Sequence, residues 1–227
     1  MDALNEAKLK YAIGSVVNAS PLSLKIETHI KVQEGRRSQI FTAIVEKVEP
    51  NSSISETSTL LAPGSRVLVK MFDYDLLAVY DDDSAGSPAD VCIQVYSAET
   101  KIYDRLTTLH GAEIPHFYLA CTCGRYQTVV LEYIHQSSLL DYSVETKEEM
   151  ETIKAATRSA VGKLHANGVY HGDIQPSNIL WSSATRRVVL VDFEKSKTFG
   201  ENDLVSTTWK EIDDSDLEYV LQKIYEE

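Results

Sequence analysis

The sequence has 227 residues, of which 43% are hydrophobic and 25% are charged. These proportions are those of a folded globular protein and exclude a wholly disordered chain, and the length suits one domain or two small lobes. With 22 Lys and Arg against 34 Asp and Glu, the formal net charge is −12, which disfavours a broad nucleic-acid-binding surface because phosphate backbones are also negative.

The sequence contains no apolar run as long as the ~18 residues of a membrane span, and residues 1–10 lack the apolar core of a signal peptide. Its three cysteines make an odd number, which disfavours a disulfide framework. Cys121 and Cys123 are interpreted as ordinary thiols, because no second Cys or His pair stands at zinc spacing. We therefore expect a cytoplasmic location, with the nucleus as the alternative.

The first third of the chain predicts an antiparallel sheet of three strands. Residues 24–32 alternate between apolar and polar side chains, and residues 40–48 and 67–71 are two further β-rich runs. The alternation in the first run would place its apolar side chains on one face: Leu24, Ile26, Ile30 and Val32. Charged and turn-rich segments separate the three runs, as expected between the strands of a meander.

A helix is predicted after these strands. Residues 81–86 form an acidic segment that we interpret as a solvated loop, with a cation site as the sharper alternative. Ser87 then supplies an N-cap and Pro88 a first-turn proline. Apolar positions recur at helical spacing from there as far as Leu109, so the helix is predicted to end near that residue.

The rest of the chain is predicted to contain two strands followed by mainly helical structure. The strands are expected at residues 117–121 and 128–134. Thr146 opens a helix through a capping box with Glu149, and a last helix is expected at residues 215–225. We therefore predict an α+β fold in which the β-rich part comes first.

Three short motifs carry the candidate chemistry. Residues 171–178 read H-G-D-I-Q-P-S-N, residues 191–194 read V-D-F-E after a short apolar run, and residues 67–70 read V-L-V-K on an early strand. Each motif alone is weak. In this order and on these elements they resemble the protein-kinase-like superfamily, in which a strand Lys, a helix Glu, an H-x-D-x-x-x-x-N loop and a D-F-x turn build one phosphoryl-transfer site.

The resemblance implies a bilobal α+β fold, with an antiparallel β-sheet N-lobe at residues 1–134 and a short, mainly helical C-lobe at residues 135–227. It also implies ATP and Mg²⁺ as cofactors and an unidentified hydroxyl acceptor, either a small molecule or a protein. By the same resemblance, Lys70 would contact the α- and β-phosphates. Glu99, in the middle of the predicted helix, would fix Lys70 and is preferred to Glu113, which lies past the helix end.

The resemblance also assigns the polar residues of the two later motifs. Asp192 and Asn178 would hold Mg²⁺ through oxygen atoms, which are the ligands that this ion prefers. Asp173 would orient the attacking hydroxyl or water, or accept its proton. His171 is expected to brace its loop against Phe193 rather than to transfer a proton.

Two further segments are expected to contact the nucleotide through their backbones. Glu132 and Ile134 would belong to the hinge whose backbone meets adenine, and their side chains need take no part. Gly35 would lie in the phosphate-covering loop, which lacks the other glycines of the family pattern. Arg36 and Arg37 are interpreted either as positive charge for the phosphates or as an ordinary charged hairpin tip.

Departures from the family pattern narrow the class. Gly172 stands where regulated protein kinases have Arg, Gln175 replaces a Lys that often contacts the γ-phosphate, and Glu194 replaces the last glycine of D-F-G. These variants resemble the atypical and small-molecule branch, which includes aminoglycoside and choline phosphotransferases, lipopolysaccharide kinases and the small kinase-like ATPase of the KEOPS complex. With 35 residues after Asp192 and no A-P-E motif, the sequence is unlike a conventional regulated protein kinase.

The main functional hypothesis is an ATP- and Mg²⁺-dependent phosphotransferase or ATPase, because all five polar positions of the family pattern are filled. The alternative is a non-catalytic pseudokinase that binds nucleotide, or nothing, and acts as a scaffold for a protein partner. The missing loop glycines and Glu194 favour this alternative. An unrelated α+β protein with chance motifs is the third interpretation.

Overall fold

The computed structural model describes residues 10–31, 36–49, 61–77, 87–199 and 204–226 of the chain. Gly35, Val32 and the acidic residues 81–86 therefore lie outside the described residues. The chain divides into two compact units, one formed by Met1–Thr100 with His116–Tyr133 and the other by Lys101–Pro115 with Ile134–Glu227.

This division differs from the predicted lobes at residues 101–115 and at Ile134, which belong to the second unit rather than the first. Two hydrogen bonds within the second unit explain the grouping. The Leu190 N–H donates to the Glu113 carbonyl at 2.8 Å, and the Arg187 guanidinium donates to the Gly111 carbonyl at 2.6 Å. The segment is therefore held by residues that come much later in the sequence.

The first unit is built on a six-stranded sheet in the described part of the chain. Its strands are β1 (Val16–Ala19), β2 (Leu22–Lys31), β3 (Gln39–Val48), β4 (Arg66–Phe72), β5 (Phe117–Cys123) and β6 (Tyr126–Glu132). They lie in the order β1-β2-β3-β4-β6-β5, each antiparallel to its neighbour. The five predicted strands are confirmed, whereas β1 is too short to show an alternating pattern.

Alternate residues of the central strands pack into one apolar core. Its buried members on β2, β3 and β4 include Leu24, Ile26, Phe41, Val45, Val67, Val69 and Met71. The prediction for Ile30 was wrong, because this side chain is 52% exposed. The β2–β3 pairing shifts register after Ile26, and such a shift changes which side chains share a face.

Two helices follow β4 in the sequence, α1 (Tyr74–Leu77) and α2 (Pro88–Arg105). α2 begins as predicted, with Ser87 Oγ accepting a backbone N–H of the first turn at 3.2 Å. It ends four residues before the predicted end, and a 3₁₀ turn at Thr107–Leu109 follows. The Leu106 N–H donates to the carbonyls both three and four residues back, which tightens the chain into that turn.

The second unit combines two helices with short strands. The helices are α3 (Lys147–Ala166) and α4 (Leu204–Glu226), and the strands are β7 (Ser137–Ser138), β8 (Val169–Tyr170), β9 (Ile179–Ser182), β10 (Arg187–Leu190) and β11 (Lys197–Thr198). In the residues that the structure describes, the strands form a β10-β9-β7 sheet and a β11-β8 pair. Across those same residues, no helix is both long enough and apolar enough to cross a bilayer.

Both predicted helices of the second unit are confirmed, although α4 is longer than predicted. Thr146 Oγ1 accepts the Glu149 N–H at 3.1 Å and so caps α3 as expected. α4 begins at Leu204 because tertiary packing outweighs a weak local signal: residues 205–208 read V-S-T-T, which has low intrinsic helix propensity. The Trp209 ring stacks on Tyr170, with the ring centroids 4.8 Å apart.

Candidate active site

Lys70 and Glu99 form a buried ion pair in the first unit. Lys70 Nζ lies 3.0 Å from Glu99 Oε1 and 2.8 Å from Oε2, and the two side chains are only 3% and 1% exposed. A charge this deeply buried is tolerated only when it is paired, so each side chain fixes the other. Glu113, the less favoured candidate, instead contacts Lys163 within the second unit.

The local sequence explains why these two side chains are buried. Val67, Val69 and Met71 of β4 line the apolar core of the sheet, so Lys70 lies on the opposite face of the strand. Its neighbours on the adjacent strands are Ile40 and Val129. The buried positions of α2 recur at helical spacing: Cys92, Glu99, Ile102 and Tyr103. A carboxylate on the buried face of a helix itself indicates a cationic partner.

The catalytic-loop candidate Asp173 receives hydrogen bonds from three side chains of the second unit. Lys195 Nζ lies 2.8 Å from Asp173 Oδ1, and Gln175 Nε2 donates to Oδ2 at 3.1 Å. Asn178 Nδ2 donates to the Asp173 carbonyl at 3.0 Å and to Oδ2 at 3.3 Å. Because the Asp173 side chain remains 21% exposed, its carboxylate is oriented and still accessible to a ligand.

His171 braces this loop from within. Its buried ring lies on Phe193, with the centroids 5.0 Å apart, and the Tyr103 ring covers Phe193 at 5.4 Å. His171 Nε2 donates to the Val191 carbonyl at 3.1 Å. Burial lowers the pKa of His171, which favours the neutral imidazole. A neutral ring that is packed and hydrogen-bonded positions the loop instead of carrying protons.

Asn178 and Asp192 carry an amide oxygen and a carboxylate, which are the types of ligand that Mg²⁺ prefers. Asn178 donates through Nδ2, so its Oδ1 faces the other way and accepts the Ser177 hydroxyl at 3.4 Å, with a second lone pair for a further contact. The Val191 N–H donates to the Asn178 carbonyl at 3.0 Å, which joins the two segments next to Asp192. One carboxylate and one amide oxygen suffice, because Mg²⁺ takes its other ligands from water and phosphate.

Asp192 has a left-handed backbone, with φ of 69°. This conformation is uncommon for residues other than glycine, and such backbone strain concentrates at functional sites. Asp192 lies two residues after the end of β10, so the strand sets the position of its backbone. The geometry is that of a residue held in place by its surroundings rather than one in a relaxed turn.

Gly172 is required by the backbone of the loop. Its φ is 74°, and a Cβ built on it would lie 2.7 Å from the carbonyl oxygen of Lys195. An arginine, which regulated kinases have here, would therefore force the backbone to move. The close approach joins the catalytic loop to the segment after Asp192. Lys195 itself lies one residue past the V-D-F-E motif, and no family position marks it.

Asp213 of α4 is a site residue that the motifs do not indicate. It is fully buried and accepts the backbone N–H groups of His171 at 2.6 Å and Gly172 at 2.8 Å. His165 Nε2 donates to the same carboxylate at 3.0 Å. Asp213 thus holds the backbone of the catalytic loop. One signal was available in the sequence, because Asp213 stands one helical turn before the buried Leu217.

The predicted hinge residues fall in different units. Glu132 ends β6, its side chain accepts the His116 N–H at 3.0 Å, and its own N–H donates to the His116 carbonyl at 2.9 Å. Ile134 begins the long segment of the second unit. Their contact with adenine stays a prediction, and so does the role of Gly35, which lies outside the described residues.

Contacts within each unit join several of the polar residues that the sequence predicts for the site. Lys70 and Glu99 contact each other in the first unit. Asp173 and Asn178 contact each other in the second unit, where Asp192 follows the residue that bonds to the Asn178 backbone.

Comparison with known proteins identifies related sequences. The protein kinase domain family model matches residues 82–211. The serine/threonine-protein kinase D of Synechocystis is 25% identical over 130 residues, which are 55% of this chain and 26% of that protein. A probable myosin light chain kinase of Dictyostelium discoideum is 38% identical over 84 residues, which are 35% of this chain and 27% of that protein. The matched segments thus span about a quarter of each of these relatives.

A smaller relative is matched over more of its length. The EKC/KEOPS complex subunit bud32 of Dictyostelium discoideum is 22% identical over 176 residues, which are 69% of this chain and 69% of that protein. The family match at residues 82–211 includes Glu99, Asp173, Asn178 and Asp192, whereas Lys70 precedes it.

Proposed function

Because this chain belongs to the protein kinase domain family, we propose that it is an ATP- and Mg²⁺-dependent phosphotransferase or ATPase. The observation that carries the proposal is that the polar positions of the family pattern are all filled by chemically suitable residues: Lys70, Glu99, Asp173, Asn178 and Asp192. The acceptor is a hydroxyl group of a small molecule or a protein, or water in the ATPase reaction.

Lys70 supplies positive charge to the α- and β-phosphates of ATP. The triphosphate is strongly anionic at neutral pH, so a cation in a fixed position lowers the free energy of the bound nucleotide. Glu99 holds Lys70 Nζ at 2.8–3.0 Å, and both side chains are nearly fully buried. Holding the ammonium group in advance reduces the conformational entropy that binding would otherwise cost.

Asp192 and Asn178 would hold Mg²⁺ through the Asp192 carboxylate and Asn178 Oδ1. When bound, the ion neutralises phosphate charge and polarises the transferred phosphoryl group. The protein keeps Asn178 in the right orientation through the hydrogen bonds that its Nδ2 donates to Asp173. Asp192 has a left-handed backbone, a conformation that concentrates at functional sites.

Asp173 orients the acceptor hydroxyl and receives its proton. As the acceptor oxygen attacks, its bond to the γ-phosphorus forms and the bond from that phosphorus to the β–γ bridging oxygen breaks. The electron pair of the broken bond leaves with ADP, and the acceptor proton passes to the Asp173 carboxylate. Holding the hydroxyl in line with the γ-phosphorus is the larger part of this role.

A protein partner also belongs to the proposal. The similarity to a KEOPS complex subunit supports it, because that match covers the greater part of both chains. The net charge of −12 favours encounter with a basic partner.

The test of the proposed function is ATP turnover by the purified chain with Mg²⁺. We expect Asp173→Ala and Asp192→Ala each to lower kcat by about 10²–10⁴-fold, which is the usual size of a general base or metal-ligand contribution. Asp214→Ala is the matched control, because Asp214 is exposed on α4 and should leave turnover unchanged. Equal turnover in the wild-type protein and both active-site variants would refute catalysis by these residues.

Thermal unfolding separates an enzyme from a scaffold that binds no nucleotide. A ligand that binds only the folded state raises the midpoint of unfolding. We expect Mg²⁺ and ATP together to raise the Tm of the wild-type protein and to raise that of Lys70→Met less. An unchanged Tm in saturating nucleotide would instead support the non-catalytic scaffold.

A further inference from the structure

Lys195 is a cationic side chain that contacts the Asp173 carboxylate. Its Nζ lies 2.8 Å from Oδ1, while Gln175 Nε2 donates to Oδ2 at 3.1 Å. Positions 175 and 195 therefore approach the two oxygens of the same carboxylate. Regulated protein kinases often have a Lys where this chain has the neutral Gln175. The positive charge beside Asp173 comes instead from the segment after Asp192.

The backbone of Lys195 is held against the catalytic loop. Its carbonyl oxygen packs on Gly172, where a Cβ would lie only 2.7 Å away. The next residue, Ser196, is buried, and its hydroxyl donates to the His171 carbonyl at 2.7 Å. The Ser196 N–H donates to the Phe193 carbonyl at 3.1 Å. These contacts hold the backbone of Lys195 beside the catalytic loop.

The tip of the Lys195 side chain is accessible, because the side chain is 56% exposed. An exposed ion pair stabilises a fold only weakly, so the contact with Asp173 is easily exchanged for a stronger one. The γ-phosphoryl group would offer such a contact when it lies next to an acceptor hydroxyl that is bound to the Asp173 carboxylate. Charge-assisted hydrogen bonds from an ammonium group to phosphate oxygens are among the strongest available.

We propose that Lys195 is a catalytic residue that contacts the γ-phosphoryl group of ATP and replaces the lysine missing at position 175. This inference rests on the proposed function and names one more residue of that site. The Lys195 ammonium group donates hydrogen bonds to the equatorial oxygens of the γ-phosphoryl group. Bond making and breaking are those given above, with the acceptor proton on Asp173 and the electron pair on ADP. The lysine stabilises charge that grows on the phosphoryl group during transfer.

The first experiment compares binding of β,γ-methylene ATP and of ADP, both with Mg²⁺, by isothermal titration calorimetry. We expect the wild-type protein to bind the triphosphate about tenfold more tightly than ADP, as a charge-assisted hydrogen bond would give. Lys195→Met should lose this preference while its affinity for ADP stays the same. Lys197→Met is the matched control, because Lys197 is exposed and lies over the Trp209 ring at 4.9 Å.

The second experiment measures ATP turnover and moves the charge back to position 175. Lys195→Met should lower kcat by about 10²-fold, the loss typical of one donor to a developing negative charge. Adding Gln175→Lys to this variant should restore kcat to within about tenfold of wild type, because position 175 reaches the same carboxylate.

Three results overturn the inference in distinguishable ways. If Lys195→Met keeps the preference for the triphosphate, Lys195 does not contact the γ-phosphoryl group, while nucleotide binding and the proposed function stand. A lower kcat with that preference intact leaves Lys195 only a positioning role for Asp173. If the wild-type protein binds neither nucleotide, the inference and the proposed function fail together. Circular dichroism of every variant checks that it is folded.

Discussion

The two units hold their key lysines in opposite ways. Lys70 and Glu99 are 3% and 1% exposed, so that pair is closed to water and each charge depends on the other. Lys195 and Asp173 are 56% and 21% exposed, so that pair is screened by solvent and open to a ligand. The first arrangement fixes a charge in one place, and the second keeps a charge available for exchange. The fold should therefore lose more stability when the first pair is broken than when the second is.

The largest effect on stability is expected at Lys70. Lys70→Met removes the cation that contacts the buried Glu99 carboxylate, and we expect it to lower the free energy of unfolding by about 3–5 kcal/mol. Lys195→Met removes a lysine from an exposed pair and should cost less than about 1 kcal/mol. Urea unfolding measures both. Similar losses in the two lysine variants would contradict the comparison between the units.

A double variant sharpens this test. Lys70→Met with Glu99→Leu removes both buried charges, and replacing a buried ion pair by apolar side chains is often close to neutral. We therefore expect the double variant to be more stable than Lys70→Met alone. A double variant that is less stable than Lys70→Met alone would show that packing around the pair, and not the buried charge, sets the cost.

The next largest effect is expected at Asp213. Asp213→Ala removes the acceptor of two backbone N–H groups in the catalytic loop, and we expect a loss of about 3 kcal/mol in the free energy of unfolding. Asp214→Ala, at the neighbouring exposed position of α4, should change it by less than about 0.5 kcal/mol. Equal effects would mean that Asp213 is not the support of the loop. This variant tests whether the open site of the second unit depends on a buried support.

Alanine substitutions at two glycines of the second unit are expected to change stability by smaller amounts, one lowering it and the other raising it. Gly172 has a positive φ, and a Cβ there would lie too close to the Lys195 carbonyl oxygen. We therefore expect Gly172→Ala to lower the free energy of unfolding by about 1–3 kcal/mol. Gly162→Ala, within α3 and with open space around it, should raise stability by about 0.5–1 kcal/mol. Urea unfolding gives both values, and a stabilising Gly172→Ala would contradict the close approach of Lys195.

The pH dependence of stability should show a contribution of His171. Burial lowers its pKa in the folded state below the unfolded value of about 6.5. Below about pH 6.5 the unfolded chain therefore binds a proton that the folded chain does not, and this term lowers stability as the pH falls, by at most about 1.4 kcal/mol per pH unit.

Urea unfolding between pH 7.5 and 5.5 isolates this term when the wild-type protein is compared with His171→Gln. The variant lacks the titrating ring, so the stability advantage of the wild-type protein should shrink as the pH falls. An advantage that grows on acidification would show that His171 is protonated in the folded protein.

Much of the fold follows from local signals. The caps at Ser87 and Thr146 each act over one helical turn, and the structure starts α2 and α3 where those residues indicate. The face of Ile30 could not be read in the same way, because the register shift in β2 depends on how β3 pairs with it. The early start of α4 likewise depends on contacts with residues distant in sequence, such as Tyr170.

The candidate site divides in the same manner. Asp173, Asn178 and Asp192 occur in short motifs with fixed spacing, so the sequence indicates them directly. Asp213 and Lys195 act on the same loop but have no motif of their own. Their contacts arise only when α4 and the segment after Asp192 pack against residues 171–173. Tertiary structure, not spacing, brings these two side chains to the site.

Binding of ATP through a Mg²⁺ site containing Asp192 is tested most directly by calorimetry with and without Mg²⁺. We expect the wild-type protein to bind β,γ-methylene ATP at least about tenfold more tightly when Mg²⁺ is present, as a bridging metal contact would give. Asp192→Asn should lose this dependence on Mg²⁺, and Asp214→Asn should keep it. Binding of the wild-type protein that is equally tight without Mg²⁺, or an unchanged Mg²⁺ dependence in Asp192→Asn, would contradict the account.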